Sequence, residues 1–228
     1  MRPACFRTPG ADGNDEIRTA LLYRNDRITP EGSATRLTDG VFQSAGRPPL
    51  AQAFRRIHGN HTVKIVVPHM KSKSCRGADG ADRNQSDGQG CYASRRVAEA
   101  RALANWPDAA SAGAQSAGTL IVGDLNSYAH EQPLSVFYRA GFTSTVHHFY
   151  PCSRTDCPHY TYRYKGEKGT LDYALASEQL MPRVLGAEAW LVNADEPRAI
   201  GYQGISLPEL QGPWRSSDHN PVIVDLRL

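Results

Sequence analysis

Thr119-Leu120-Ile121-Val122-Gly123-Asp124-Leu125-Asn126 is a short apolar run that stops at a glycine and then presents a carboxylate and an amide. Its apolar and β-branched residues predict a buried strand, and Gly123 predicts where that strand ends. Side chains alternate along a strand, so Asp124 and Asn126 should face one way while Leu125 turns back into the core. A carboxylate beside an amide at the end of a buried strand suits a hard cation or a phosphate. Gly-Asp-Leu-Asn also suits an ordinary polar turn, so the choice rests on the rest of the chain.

Two further segments repeat the pattern. Ser216-Ser217-Asp218-His219-Asn220-Pro221 runs into Val222-Ile223-Val224-Asp225-Leu226, an apolar strand preceded by an acid and a histidine. Val63-Lys64-Ile65-Val66-Val67-Pro68-His69 is another, and it delivers a histidine at its end. Three strands bounded by acid, amide or imidazole groups are hard to explain as three unrelated turns.

His69-Met70-Lys71-Ser72-Lys73, Gly123-Asp124-Leu125-Asn126, Leu171-Asp172-Tyr173 and Ser217-Asp218-His219-Asn220-Pro221 follow one another in an order and spacing that resembles the endonuclease/exonuclease/phosphatase superfamily. Within it the chain looks like the bacterial extracellular nucleases related to pancreatic deoxyribonuclease, from about Ile17 to Leu228. The resemblance implies an α/β (α+β) fold, a two-layer β-sandwich flanked by helices. It also implies a metal-dependent phosphodiesterase, an extracellular endonuclease hydrolysing DNA or both DNA and RNA. Two other readings stay open: a phosphatase on inositol phosphates or sphingomyelin, and an inactive domain that binds nucleic acid or a partner.

The resemblance implies a role for each matching residue. His69 would contact the scissile phosphate or protonate the leaving oxygen, with Lys71 and Lys73 close by to meet phosphate oxygens. Asp124 would orient or deprotonate water, and Asn126 would hold the phosphate. Asp218 would join Asp124 and Asn126 at a metal, and Asp172 would orient and charge His219. Arg24, at the exit of an early strand, would face the phosphate. Mg²⁺ is the implied ion, with Mn²⁺ or Ca²⁺ able to substitute. The implied partner is a nucleic acid substrate, with no membrane and no protein partner.

The chain departs from the family pattern in one respect. An early strand ending in an Asn, and another supplying a metal-binding Glu, have no counterpart; Glu16 and Glu31 follow no apolar strand. The expectation is therefore a disordered start over residues 1–16, then the C-terminal two-thirds of the domain over 17–228, incomplete at the N-terminus. Such a chain should be weakly active and should expose an apolar edge.

Length and composition are compatible with these readings. The 228 residues suffice for a full hydrophobic core. A net charge of +3 and a pI near 8.6 permit a polyanionic substrate without requiring one. No run of 18 or more apolar residues occurs. Met1–Phe6 has no apolar core of the signal-peptide kind, so extracellular or periplasmic placement rests on the resemblance and on the cysteines. Cys75 and Cys91 bracket a Gly/Asp-rich loop and Cys152 and Cys157 bracket four polar residues, which predicts two local disulfides and leaves Cys5 over. Reduced cysteines or a zinc site are the rival reading, weakened by the lack of a Cys-x-x-Cys pair.

Other elements follow from pattern. Strands are expected at Ile17–Tyr23, after Arg47-Pro48-Pro49, at Tyr160–Tyr164 and at Thr170–Ala176, and helices at Ser94–Trp106 and Leu134–Ala140. Gly77–Gly90 reads as a clipped loop; its Asp79, Asp82 and Asp87 do not have EF-hand spacing. Pro107–Gly118 reads as a linker, and Asn193-Ala194-Asp195-Glu196-Pro197 receives no chemistry.

Overall fold

The apolar runs at Val63–Val67 and Thr119–Val122 lie side by side as the parallel centre of a six-stranded sheet. The structure, a computed structural model, describes residues 4–5, 13, 15–43, 47–106, 115–153, 155–197, 199 and 214–228. Its strands are β1 (Ala4–Cys5), β2 (Leu22–Tyr23), β3 (Ile28–Arg36), β4 (Leu50–Arg56), β5 (His61–Val67), β6 (Gln115–Asp124), β7 (Phe142–Ser144), β8 (Tyr162–Tyr164), β9 (Glu167–Gly169), β10 (Asp172–Ser177), β11 (Val184–Ala189) and β12 (Val222–Leu226). The helices are α1 (Ala93–Ala104), α2 (Gln132–Arg139) and the short α3 (Thr145–Phe149).

The main sheet has the order β3-β4-β5-β6-β10-β7, and only β5 and β6 pair in parallel. Strand alternation divides its side chains between two layers. Val66, Ile121 and Leu175 face α1 and α2, where Ala100, Leu103, Leu134 and Phe137 complete one core. Val63, Leu120, Ala174 and Ala176 face the other way, toward Val184, Val222, Val224 and Leu226 of the antiparallel pair β11–β12. The result is a mixed α/β fold with a central sheet, helices on one face and a second β layer on the other. That second layer leaves Leu185 and Ile223 exposed.

Several elements differ from the sequence expectation. The strand expected at Ile17–Tyr23 is confined to Leu22–Tyr23, which pairs with Ala4–Cys5, so part of the expected disordered start is strand. The rest of residues 1–12, with 14, lies outside the described residues. Most of the linker expected at Pro107–Gly118 also lies outside them, and β6 already begins at Gln115. The long strand β3 is unannounced because Pro30 and Gly32 interrupt it; both are tolerated at the sheet edge, where its register with β4 shifts between Glu31 and Thr35. The strands β8, β10 and β12 and both long helices fall within a few residues of expectation, whereas β9, which pairs with β8 as a hairpin, is not among the expected strands.

Candidate active site

Strand register brings the key side chains together. Asp172, the first residue of β10, stands directly opposite Asp124, the last of β6. His69 bridges to Asp124 in parallel just beyond β5, and Met70 N–H donates to Asp124 O at 2.9 Å. Asp124 and Asp172 share the parity of Leu120 and Ala174, so both face the β11–β12 layer. His219 arrives on that same face, immediately before β12.

Gly123 is what lets β5 and β6 meet this closely. A Cβ there would lie 2.1 Å from Pro68 O, inside any tolerable contact. Leu125 is fully buried, as expected, and its N–H donates to Leu171 O at 2.8 Å. Asn126 has φ of 48°, a left-handed conformation that Asn accepts more readily than most residues. Its backbone N–H donates to Asp124 Oδ1 at 2.8 Å, and its Nδ2 donates to Met70 O at 3.0 Å and Asp124 Oδ2 at 3.1 Å. With the amide nitrogen so committed, the amide oxygen points the opposite way.

The His219 loop is clamped by its neighbours. Asn220 Oδ1 accepts from Asn193 N and Ala194 N, both at 2.9 Å, and Asn193 Nδ2 donates to His219 O at 2.8 Å. Thr161 Oγ1 accepts from the N–H groups of Leu171 and Asp172, both at 3.0 Å, which fixes the start of β10. His219 Nδ1 then lies 2.6 Å from Asp172 Oδ2, with the Tyr162 ring tilted against the imidazole at 4.7 Å between centroids. Asn193, Asn220, Thr161 and Tyr162 are supporting residues to which motif reading gives no role. Asn220 is visible within Ser217-Asp218-His219-Asn220-Pro221, Thr161 and Tyr162 within the strand expected at Tyr160–Tyr164, and Asn193 in the Asn-Ala-Asp-Glu-Pro stretch.

Burial and charge set the protonation states. Burial raises the Asp124 carboxyl to about 7, with the Asp172 charge adding to it and His219 opposing. Burial alone would lower His219, but the hydrogen bond and charge of Asp172, helped by Asp124 and Asp218, raise it to about 9. Burial lowers His69 to about 4, and the charges of Arg47 and His219 push the same way. His69 Nε2 stands 3.3 Å from Asp124 Oδ2, and at neutral pH this is a neutral imidazole beside a carboxyl group rather than an ion pair.

Ligand atoms of Asp124, Asp172 and His219 all lie within 4.8 Å of one another. Two carboxylates forced together form an oxygen-rich pair that a hard divalent cation takes, and a cation would relieve the repulsion that adds to burial in raising Asp124. Asp218, expected at the metal, stands outside this cluster and acts on His219 through its charge. Glu31, on the edge strand β3, is tied to Arg55 of the neighbouring β4 at 2.6 Å, and Glu16 is exposed.

The expected phosphate-facing cations are disposed unequally. Arg24 lies at the opposite end of the strands from His69, since the following Ile28 pairs with Arg56 whereas Leu50 pairs with Val67; its guanidinium bonds Asp26 at 2.6 Å. Lys73 pairs with Glu131 and rests on the Tyr128 ring, and Lys71 lies over Tyr92. Arg47 is the cation that sequence reading passed over. It precedes β4 at the His69 end of the sheet, 3.6 Å from Asp15, and its charge reaches both His69 and Asp124. The Pro-Pro turn into a strand paired with β5 was the signal that could have found it.

Both expected disulfides are present, Cys75–Cys91 and Cys152–Cys157. In the clipped loop, Asp79 caps a turn at Gly80, Asp82 accepts from Ser94 and Asp87 bonds Gln89. No helix among the described residues is long and apolar enough to cross a membrane.

A carboxylate-charged imidazole faces a second, partly buried carboxylate, all at strand ends, an arrangement chemically able to hold a cation and move a proton. The family model described as Endonuclease/Exonuclease/phosphatase family matches residues 3–219, and the chain belongs to that family. No curated protein matches it in sequence. Solved structures that share its fold include the following three. The mannosyl-6-phosphatase of Bacteroides thetaiotaomicron is 16% identical with a TM-score of 0.58, covering 92% of this chain and 70% of its own. A humanized D. rerio TDP2 is 14% identical, TM-score 0.55, covering 89% and 69%. A 3′-5′ exonuclease from Neisseria meningitidis is 12% identical, TM-score 0.51, covering 92% and 75%. The chain thus spans roughly seven tenths to three quarters of the length of these structures.

Proposed function

We propose that this chain is a divalent-cation-dependent phosphodiesterase, an extracellular endonuclease that cuts DNA. The observation that carries the reading is the convergence of Asp124, Asp172 and His219 within 4.8 Å, with Asn126 and His69 both in contact with Asp124. Arg47 at the rim and the hairpin β8–β9, with Lys165 over Tyr164 and Lys168 over Tyr160, add the charge and aromatic surface that a polyanion with bases would meet. The two disulfides suit an oxidising location.

Asp124 is the group able to accept the proton of an attacking water. Asn126 offers its amide oxygen, and His219, kept cationic by Asp172, places positive charge at a phosphate oxygen. His69 stays neutral and can donate a hydrogen bond toward the same phosphate. A cation held by Asp124, Asp172 and Asn126 would supply charge neutralisation and a more acidic water.

The test is plasmid nicking by the purified chain with Mg²⁺, with EDTA as control. Nicking that EDTA abolishes supports the reading. Phosphate release from inositol phosphates without nicking would move the chain to the phosphatase side of its family, and plasmid retention without nicking would make it a binding domain.

The pH profile follows from the same groups. Cleavage needs Asp124 ionised and His219 protonated, so the rate rises with pH through about 7 and falls through about 9. Because a cation competes with the proton at Asp124, raising Mg²⁺ moves the acid limb to lower pH. Initial nicking rates at two Mg²⁺ concentrations check this, and an acid limb indifferent to Mg²⁺ would contradict it.

A further inference from the structure

Away from the Asp124 centre, a cleft of about 560 Å³ runs beneath the loop between α3 and β8 and is lined by His147, Cys152, Cys157 and His159. The ligand atoms of His147, Cys152 and His159 all lie within 4.8 Å of one another. With Zn–S near 2.3 Å and Zn–N near 2.0–2.1 Å, tetrahedral geometry sets S and N ligand atoms about 3.5–3.6 Å apart. Cys152 Sγ and His159 Nε2 are 3.6 Å apart. The other nitrogen of His159 has an orienting contact of its own, with Nδ1 3.4 Å from Thr170 Oγ1, while Nε2 is the nitrogen that faces the Cys152 sulfur. The His147 ring stands edge-on to that of His159, with centroids 6.0 Å apart and planes at 82°. Cys157 is tied to Cys152 by their disulfide, with Cα atoms 4.2 Å apart; its sulfur stands outside the 4.8 Å group of the other three and would turn in once the bond opens, and Cys-x₄-Cys lies within the spacing of structural zinc sites.

We propose that these four side chains form a redox-gated binding site for a tetrahedral thiolate-seeking cation such as Zn²⁺, closed as a disulfide when oxidised and open to the metal when reduced. A dithiol reductant supplies two electrons and two protons, cleaving the Cys152–Cys157 bond to two thiols and leaving the reductant as its own disulfide. Metal binding then displaces both thiol protons to solvent. Two thiolates and two neutral imidazoles exactly balance a divalent cation's charge, so the filled site is neutral in a partly buried cleft. The absence of Cys-x-x-Cys argued against zinc in the sequence; the histidines on either side of the pair restore the donor set.

The test is Co²⁺ titration of the intact chain, oxidised and after reduction, read by the thiolate charge-transfer and tetrahedral d–d bands. The expected result is one such Co²⁺ per reduced chain, displaced by Zn²⁺, and none in the oxidised chain. Cys152→Ser should abolish the bands. His147→Gln, at an exposed position that tolerates change, should weaken binding at least about tenfold. Cys75→Ser should leave both unaltered, and Mg²⁺ should not compete. A folded reduced chain without the bands, bands that survive His147→Gln and His159→Gln, or bands lost only with Cys75→Ser would overturn the proposal. So would loss of fold on reduction that Zn²⁺ does not restore.

Discussion

Asp124→Asn lowers plasmid cleavage by roughly 10³-fold while leaving duplex binding in EDTA nearly unchanged. The side chain keeps its shape and its Oδ1 still accepts the Asn126 N–H, while the weaker bond from Asn126 Nδ2 is given up because the new amide nitrogen cannot accept it; Asn126 Nδ2 keeps its bond to Met70 O, so the strand ends hold their positions. The lost properties are the negative charge and the proton-accepting oxygen. The same exchange should make the fold more stable without metal, because burial and Asp172 oppose the charge of Asp124 in the native state. A gain of about 1 kcal/mol would raise the unfolding midpoint by roughly 2–4 °C in a chain of this size. Nicking rates paired with thermal melts in EDTA check both halves. An inactive variant that also melts far lower would mean that Asp124 is a structural acid.

Arg96→Met lowers stability by about 3–5 kcal/mol, the largest loss expected of one polar exchange in this chain. Arg96 is wholly buried on α1 and donates to Cys91 O and Gln89 O, both at 2.7 Å, to Ser127 Oγ at 3.2 Å and to Lys71 O at 3.4 Å. Its guanidinium also lies 3.8 Å from Glu131 Oε2, an oxygen with no hydrogen-bond partner. Methionine fills most of the space but leaves the carbonyls without their donor and Glu131 with Lys73 as its one remaining cation among the described residues. Lys71 follows His69 by two residues and Ser127 follows Asn126 by one, so the loss should also loosen both strand exits and depress cleavage below the melting range. Arg96→Lys should recover only part of the stability, because an ammonium cannot reproduce the planar fork. Chemical denaturation of the two variants checks the order wild type, Lys, Met.

What the sequence made legible was the part of the site that lies on strands. Alternation from Leu120 to Asn126, and the acids and imidazoles placed at strand boundaries, identified Asp124, Asn126, Asp172, His219 and His69, which the fold gathers on one face. The residues that hold them were not legible, because their signals are long-range. Asn220 is ordinary next to His219 until the backbone N–H groups of Asn193 and Ala194, 27 and 26 residues upstream, donate to its side chain. Arg96 reads as one of several helix arginines until the clipped loop wraps carbonyls around it. Arg24 and Arg47 exchanged places for the same reason: which end of a sheet an arginine occupies depends on the pairing of strands, and neither residue carries that locally.

The opposition of Asp172 and Asp124 across β10 and β6 has an evolutionary consequence. A shift of one residue would turn each carboxylate to the other side of the sheet, so the chemistry cannot drift along the strands. The segments that would meet a substrate, after β5, after β6 and before β12, carry no such constraint. Lineages built on this frame are free to exchange what they cut far more readily than how they cut it.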